Sequence, residues 1–317
     1  MMNRVFTQPT HPVGIISKGR YESMYTSRSL RRMKIPHYIV IEPQEEELYI
    51  KALKDFDLKD YATLIIAPFS NHGDGPGRAR NYFWDWCLAN KDTGSHWILD
   101  DNIQDFYRMH NNQRVRVESG ILFKACEEFV DRFENVPVSG LQYRFFLTGR
   151  VVKPPIILNT RVYSTLLIRN DCKHRWRGRY NEDTDLSLRV LKDGDCTIEF
   201  NFYLQGKCAT QTVKGGNTEE FYHSENITED EKALLKSKKY HELGTLNKSQ
   251  MLVDMHPDVC ELVWKYDRWH HLCNFSSFKV NKLIYKDGKS AKDFKDEDKK
   301  YANMVLIDDY SSEKYPV

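Results

Sequence analysis

Two clusters of carboxylates carry the chemical content of this sequence. The first closes the run Trp97-Ile-Leu-Asp-Asp-Asn-Ile103, a short apolar stretch that stops at two adjacent acids and an amide. Such a pattern describes a buried strand that delivers charge at its tip. Strand tips are where open α/β sheets bind ligands, and paired carboxylates there suit a divalent cation, which in turn suits a diphosphate. The competing reading is an ordinary turn, since Asp and Asn are common turn residues. The second cluster, Tyr180-Asn-Glu-Asp-Thr-Asp-Leu186, leads into an amphipathic helix expected over 185–191 and stopped by Lys192-Asp-Gly194. Acids in a first helical turn also serve as caps and dipole partners, an equally good account of Asp185. Glu182 and Asp183 are expected just before that helix, where a carboxylate can project into a cleft and act as a general base.

Basic and Gly-rich segments surround these acids. Asn71-His-Gly-Asp-Gly-Pro-Gly-Arg-Ala-Arg-Asn81 opens into a helix expected over 79–89, and its amides with Arg78 and Arg80 suit an anion. A flexible loop with a solvated Arg pair is the plainer account. A second loop, Lys214-Gly-Gly-Asn-Thr-Glu-Glu-Phe-Tyr-His223, has glycines that permit movement or close approach over a site, and His223 is a candidate metal ligand or phosphate contact. From Gln142 to Tyr180 nine Lys or Arg residues stand against one acid, Asp171, interleaved with aromatics. Cations alternating with rings are what a surface tracking a nucleic-acid backbone and stacking on bases needs. Phe145 and Phe146 are read instead as core.

The elements that must position these groups follow from periodicity. Strands are expected at 13–17, 35–41 and 62–68, with helices at 27–34 and 43–54 between them, an alternation that implies a mostly parallel sheet. Further on, a helix over 118–133, a strand over 136–146, a hairpin turning at Leu158-Asn-Thr160 and a strand over 198–204 are expected. Beyond residue 225 the composition turns Lys-rich and helical, with candidate helices at 229–242, 247–253 and from Pro257 to His271, then a charged tail over 286–300. The chain of 317 residues, 40% hydrophobic and 29% charged, is that of an ordinary globular protein, and runs such as 63–69 and 151–158 are too short to span a bilayer. No export pattern opens it, so cytoplasm is the expected compartment. Seven scattered cysteines without a CxxC pair argue against a disulfide framework or zinc knuckle and for free, mostly buried thiols.

Taken in order, Ala79-Arg80-Asn81 at a helix start, Asp100-Asp101-Asn102 at a strand end and Glu182-Asp183 before a helix resemble a GT-A nucleotide-sugar glycosyltransferase. More narrowly, WILDDNI at 97–103, NEDTDLSLRVLKDG at 181–194, KGGNTEE at 214–220 and HPDV with RWHH at 256–271 resemble the TET-associated glycosyltransferases. These are phage and related enzymes that glycosylate the 5-hydroxymethylcytosine made in DNA by a TET-type dioxygenase. The resemblance runs from about His11 to His271.

It implies an α/β fold of the GT-A, Rossmann-like type with a mostly parallel central sheet and a C-terminal helical extension. A catalytic domain would occupy 1–224, with a donor half at about 11–110 and an acceptor half at 111–224, and the extension 225–317. The co-substrate would be a UDP-sugar with Mn²⁺ or Mg²⁺, and the acceptor 5-hydroxymethylcytosine DNA in the cytoplasm of a host cell, with no membrane. Asp101 and His223 are the implied metal residues. Arg78, Arg80, Asp100, Gly215, Gly216 and Asn217 are implied at the donor, and Asp183, with Glu182, as base in an inverting reaction. Arg144, Arg150, Arg175, Trp176, Arg177, Arg179, Arg268 and Trp269 are the DNA-contact candidates. One departure stands out: Asn102 holds a position where Asp-any-Asp would have a carboxylate. The competing functions are transfer to a polysaccharide or lipid-linked acceptor, a non-catalytic DNA-binding protein on the same fold, and a nucleotidyltransferase.

Overall fold

The structure is a computed structural model and describes residues 7–110, 113–147, 154–208, 240–266 and 268–295. Its frame is a sheet of ten strands. The first four, β1 (Val13–Ile16), β2 (His37–Ile41), β3 (Ala62–Ile66) and β4 (Ser95–Asp100), pair in parallel in the order β3-β2-β1-β4. Between them run α1 (Tyr25–Arg32), α2 (Glu46–Asp55) and α3 (Gly77–Asn90); the first two crossovers step outward to β3, and the third returns to the other side of β1. The expected strand-helix alternation is therefore what the first hundred residues adopt.

Beyond β4 the sheet becomes mixed. The chain adds β5 (Ile103–His110), β6 (Gln113–Arg116), α4 (Ile121–Val130), β7 (Val138–Tyr143), β8 (Ile156–Leu158), β9 (Thr165–Arg169), α5 (Glu182–Lys192) and β10 (Thr197–Lys207). The order continues β4-β9-β7-β10-β5-β6, with β8 on β10. Only β5, β8 and β9 oppose the common direction, so the sheet is mostly parallel overall. The hairpin expected around Leu158-Asn-Thr160 does not form: β8 pairs with β10, whereas β9 inserts between β4 and β7. The β5–β6 hairpin was not among the expected elements, although Asn111-Asn112 between its strands are of a residue type common in turns.

Side-chain alternation divides the core. In β4, Trp97 and Leu99 join α1, α2 and α4 on one face, while Ile98 meets α3 and α5 on the other. β4 is buried on both faces, and from Trp97 to Leu99 both faces receive apolar side chains until Asp100. Burying side chains of this size contributes roughly 1.5–3 kcal/mol each. Helix α3 lies so close to the sheet that a Cβ on Gly14 would meet the Phe83 ring at 2.3 Å.

The C-terminal residues hold α6 (Tyr240–Met255) and a two-stranded sheet, β11 (Cys260–Lys265) and β12 (Arg268–Cys273). Here the structure corrects two expectations. Residues from Pro257 to His271, read as helical from the stripe Val259, Leu262, Val263 and Tyr266, form a β-hairpin, and Cys260 and Cys273, opposite each other in its register, are joined as a disulfide. The remaining described cysteines are free. Residues 247–253 fall within α6, and the segment packs through Leu252, Cys260 and Phe278 onto Leu188 and Leu191 of α5. The helix expected at 229–242 falls largely outside the described residues, and the described part of the tail holds short 3-10 turns at Lys286–Gly288 and Ala291–Phe294.

Candidate active site

The tips of β1, β2, β3 and β4, the start of α3, the start of α5, the end of β10 and the β11–β12 hairpin enclose a cavity of about 640 Å³. The Asp100-Asp101-Asn102 turn forms part of its floor, and its shape is fixed by α1. Thr26 Oγ1 donates to the Asp100 carbonyl at 2.6 Å and accepts from the Ile103 amide at 2.9 Å, and the Thr26 amide approaches the Asp101 carbonyl at 3.4 Å. One hydroxyl thus clamps both sides of the turn.

The two carboxylates face different company. Asp100 Oδ1 accepts from Arg80 Nη2 at 2.9 Å and Oδ2 from Lys207 Nζ at 2.6 Å. Burial would raise its pKa, but Lys207 and Arg80 override that and hold it at about 2. Asp101 Oδ2 accepts from Ser17 Oγ at 3.0 Å, and Oδ1 lies 3.6 Å from Arg20 Nη1. Its pKa is raised, chiefly by burial, with Arg20 opposing and the charge of Asp100 adding.

Across the cavity floor, Arg80 ties the first acidic cluster to the second. Its Nη1 donates to Asp183 Oδ1 and lies 3.4 Å from Glu182 Oε1, while Nη2 holds Asp100. The guanidinium rests on the Trp176 ring, 4.5 Å from its centroid, and the residue is 2% exposed. Asp183 Oδ2 accepts from the Ser164 amide at 3.2 Å. Burial lifts the Asp183 pKa to about 7, with Arg80 resisting and Glu182 and Asp100 pushing further up. A carboxylate whose proton leaves near neutral pH is matched to general-base work.

Helix α5 starts three residues earlier than expected, so Glu182 and Asp183 lie in its first turn rather than ahead of it. Asn181 enters it with φ 52°, and its Nδ2 donates to the Lys248 carbonyl of α6 at 2.7 Å. Asp185 is fully buried and accepts from Arg177, Arg189 and His256 Nε2, at 3.0, 2.9 and 2.9 Å. It therefore anchors α5 rather than merely capping it.

Of the donor candidates, Arg78 pairs with Asp74 in the Gly-rich loop, and Gly75, at φ 83°, passes so close to the Arg179 carbonyl that a Cβ would stand 2.4 Å from it. Gly215, Gly216, Asn217, His223 and Arg150 lie outside the described residues, so the loop at 214–223 has no structural account. Among the nucleic-acid candidates, Trp176 is buried beneath Arg80, Arg175 pairs with Asp85 at 3.0 Å and stacks on Trp84, and Arg177 is held by Asp185. Arg179 lies over the Tyr180 ring, and Arg144 donates to the Tyr107 hydroxyl at 2.7 Å. Arg268 pairs in register with Lys265, and the Trp269 ring meets Trp264 edge-on at 5.2 Å. Phe145 and Phe146, expected in the core, are exposed at the end of β7, because the strand stops at Tyr143 and a 3-10 turn swings them outward.

Lys207, Ser164 and Arg20 line the cavity but were not among the candidate residues. Lys207 Nζ bridges Asp100 and Ser164 Oγ, the latter at 2.9 Å, and Ser164 Oγ in turn meets the Tyr143 hydroxyl at 2.6 Å. Burial disfavours the Lys207 ammonium, but the adjacent Asp100 outweighs it and the pKa rises. Arg20 belonged to a turn recognised only as basic.

The profile of one family covers residues 11–216, the TET-associated glycosyltransferases. The chain belongs to that family. No curated protein matches this glycosyltransferase. Among solved structures it is similar to a mannosyltransferase, PcManGT from Pyrobaculum calidifontis in complex with GDP-Man and Mn²⁺. The identity is 12% and the TM-score 0.41, over 76% of this chain and 72% of that one.

A metal fits the transferase in one particular way. Among the described residues no group of three His, Cys, Asp or Glu side chains could hold an ion. Asp100 is already saturated by two cations. Asp101, however, has only a hydroxyl and a distant guanidinium, and the neighbouring Asn102 Oδ1 is buried without a partner among the described residues. One carboxylate with one amide oxygen suits Mg²⁺ or Mn²⁺ when substrate phosphates complete the coordination. Asn102 would thus supply an oxygen, though not a charge. No helix among the described residues is long and apolar enough to cross a membrane.

Proposed function

We propose that this glycosyltransferase moves a sugar from a UDP-sugar to the hydroxymethyl oxygen of 5-hydroxymethylcytosine in DNA, with inversion at the anomeric carbon. The observation that carries the proposal is the Arg80 bridge: one buried guanidinium holds Asp183 beside the Asp100–Asp101 tip in a single cavity. A donor diphosphate at Asp101 and an acceptor hydroxyl at Asp183 would then meet between them. Membership of the TET-associated family supports DNA as acceptor, as does the basic and aromatic rim that includes Arg161, Tyr163, Lys265 and Tyr266. The hydroxymethyl group would be supplied by a TET-type dioxygenase, in the cytoplasm of a host cell.

Asp101 and the Asn102 amide oxygen would hold Mn²⁺ or Mg²⁺, which stabilises charge on a departing diphosphate as a Lewis acid. The remaining work falls to the chain itself. Lys207 and Arg80 keep Asp100 ionised and the turn rigid, so that Asp101 is presented without rearrangement. Asp183, ionised above about pH 7, accepts the hydroxymethyl proton as that oxygen bonds to the anomeric carbon and the bond to the diphosphate breaks. The pair Tyr143 and Tyr163, with ring centroids 5.2 Å apart at 27°, offers a flat wall for a nucleotide drawn out of the helix.

The test is incorporation of radiolabelled sugar from a panel of UDP-sugars into duplexes carrying 5-hydroxymethylcytosine or unmodified cytosine. Label confined to the hydroxymethylated duplex and abolished by chelator supports the proposal. Donor hydrolysis with no label in either duplex would move the acceptor to a polysaccharide or lipid.

A further inference from the structure

The roof of the cavity carries a second set of cations, separate from Lys18, Arg20 and Lys207 at the floor. Arg161, from the segment before β9, lies 5.2 Å from the Tyr163 ring centroid and has no carboxylate partner among the described residues. Lys248, from α6, is likewise without one, and its carbonyl is fixed by Asn181, the residue that precedes Glu182 and Asp183. His271, from β12, has its Nδ1 atom buried with no hydrogen-bond partner among the described residues. Burial first, then the charges of Arg161, Lys248 and His270, lower its pKa to about 4, so the ring is neutral at physiological pH and can offer an N–H. Two cations without carboxylate partners among the described residues, lining one cavity with an unsatisfied imidazole nitrogen, form a cradle for an anion with several acceptor oxygens.

We propose that Arg161, Lys248 and His271 form a second phosphate site, which takes a backbone phosphate of the acceptor strand beside the nucleotide being modified. The proposal rests on the reading of DNA as acceptor. Its position decides which phosphate it takes. Asn181 ties Lys248 to the start of α5, on the Asp183 side, and Arg161 covers Tyr163, half of the ring wall offered to an extruded base. The donor diphosphate has its own cations, Lys207 and Arg20, beside Asp100 and Asp101. A nucleotide drawn toward Asp183 carries its flanking phosphates into the roof, where phosphate contacts fix register without reading sequence.

The experiment measures binding of a labelled 5-hydroxymethylcytosine duplex by fluorescence anisotropy across a salt series, with UDP and Mn²⁺ affinity measured calorimetrically on the same proteins. Arg161→Gln and Lys248→Gln should each weaken duplex binding about tenfold and lower the salt slope by about 0.9, leaving UDP affinity unchanged. Arg161→Lys, which keeps the charge, should restore the slope and guards against a folding defect. His271→Phe should weaken duplex binding with no change in slope. Unchanged duplex binding with weakened UDP affinity would overturn the proposal and assign the cluster to the donor. No change in either would overturn it outright. A wild-type protein that fails to bind the duplex at all would refute the DNA reading, and this proposal with it.

Discussion

Replacing Asp183 with Asn tests chemistry and electrostatics in one variant. The side chain keeps its shape but loses the ability to ionise, at a site where the carboxyl is 7% exposed and its pKa is lifted from 3.8 to about 7. Moving from 3.8 to about 7 corresponds to roughly 4 kcal/mol between the two protonation states. The sign follows from linkage: a carboxyl whose folded pKa is raised favours the native state fully below its unfolded pKa, and that contribution is lost as pH rises through the folded value. Wild type should therefore lose stability between about pH 4 and about pH 8 through this group, and Asp183→Asn should not. Urea denaturation at both ends should show the variant gaining on wild type by a few kcal/mol at the higher pH. The rate should move oppositely. Transfer by the variant should fall by about 10²–10⁴-fold at about pH 8, and the wild-type kcat/KM should decline as pH drops through about 7, when the base acquires a proton. A variant with wild-type turnover would remove Asp183 from the chemistry. A stability advantage that shrinks with rising pH would refute the burial argument.

Arg80→Met should destabilise the protein by about 3–5 kcal/mol, because it leaves Asp183 and Asp100 buried without their shared cation; differential scanning fluorimetry reads this as a lower melting temperature that recovers at acid pH. Serine at both Cys260 and Cys273 should lower stability by about 2–4 kcal/mol under non-reducing conditions, and a reductant should lower wild type to the same level while leaving the variant unmoved.

The parallel half of the fold was readable because each of its strands is locally determined. Residues 64–66 and 97–99 are continuous apolar runs, and the Asp100-Asp101 tip follows from where the second one stops. The hairpin at 260–273 was not readable in the same way. Val259, Leu262, Val263 and Tyr266 satisfy a helical stripe, whereas the strand is set by partners that pattern cannot show: register with β12, the Cys260–Cys273 bond and packing on α6. The pairing of β9, though not its extended conformation, was hidden for a related reason, since its neighbours β4 and β7 come from distant parts of the chain. At the site, motif order singled out Asp100, Asp101, Glu182, Asp183 and Arg80. It could not show that Arg80 spans both acidic clusters, that Trp176 lies under it, or that Lys207 reaches Asp100 from a residue 107 positions away. Those are properties of tertiary proximity, to which spacing along the chain is blind.

The most direct measurement of the central claim is mass spectrometry of nucleosides digested from 5-hydroxymethylcytosine DNA after incubation with UDP-sugars and Mn²⁺, with Asp101→Ala and Asp183→Asn run alongside wild type. The account predicts a sugar mass on the modified cytosine with wild type, and its loss in both variants. Unmodified 5-hydroxymethylcytosine with every donor would contradict it.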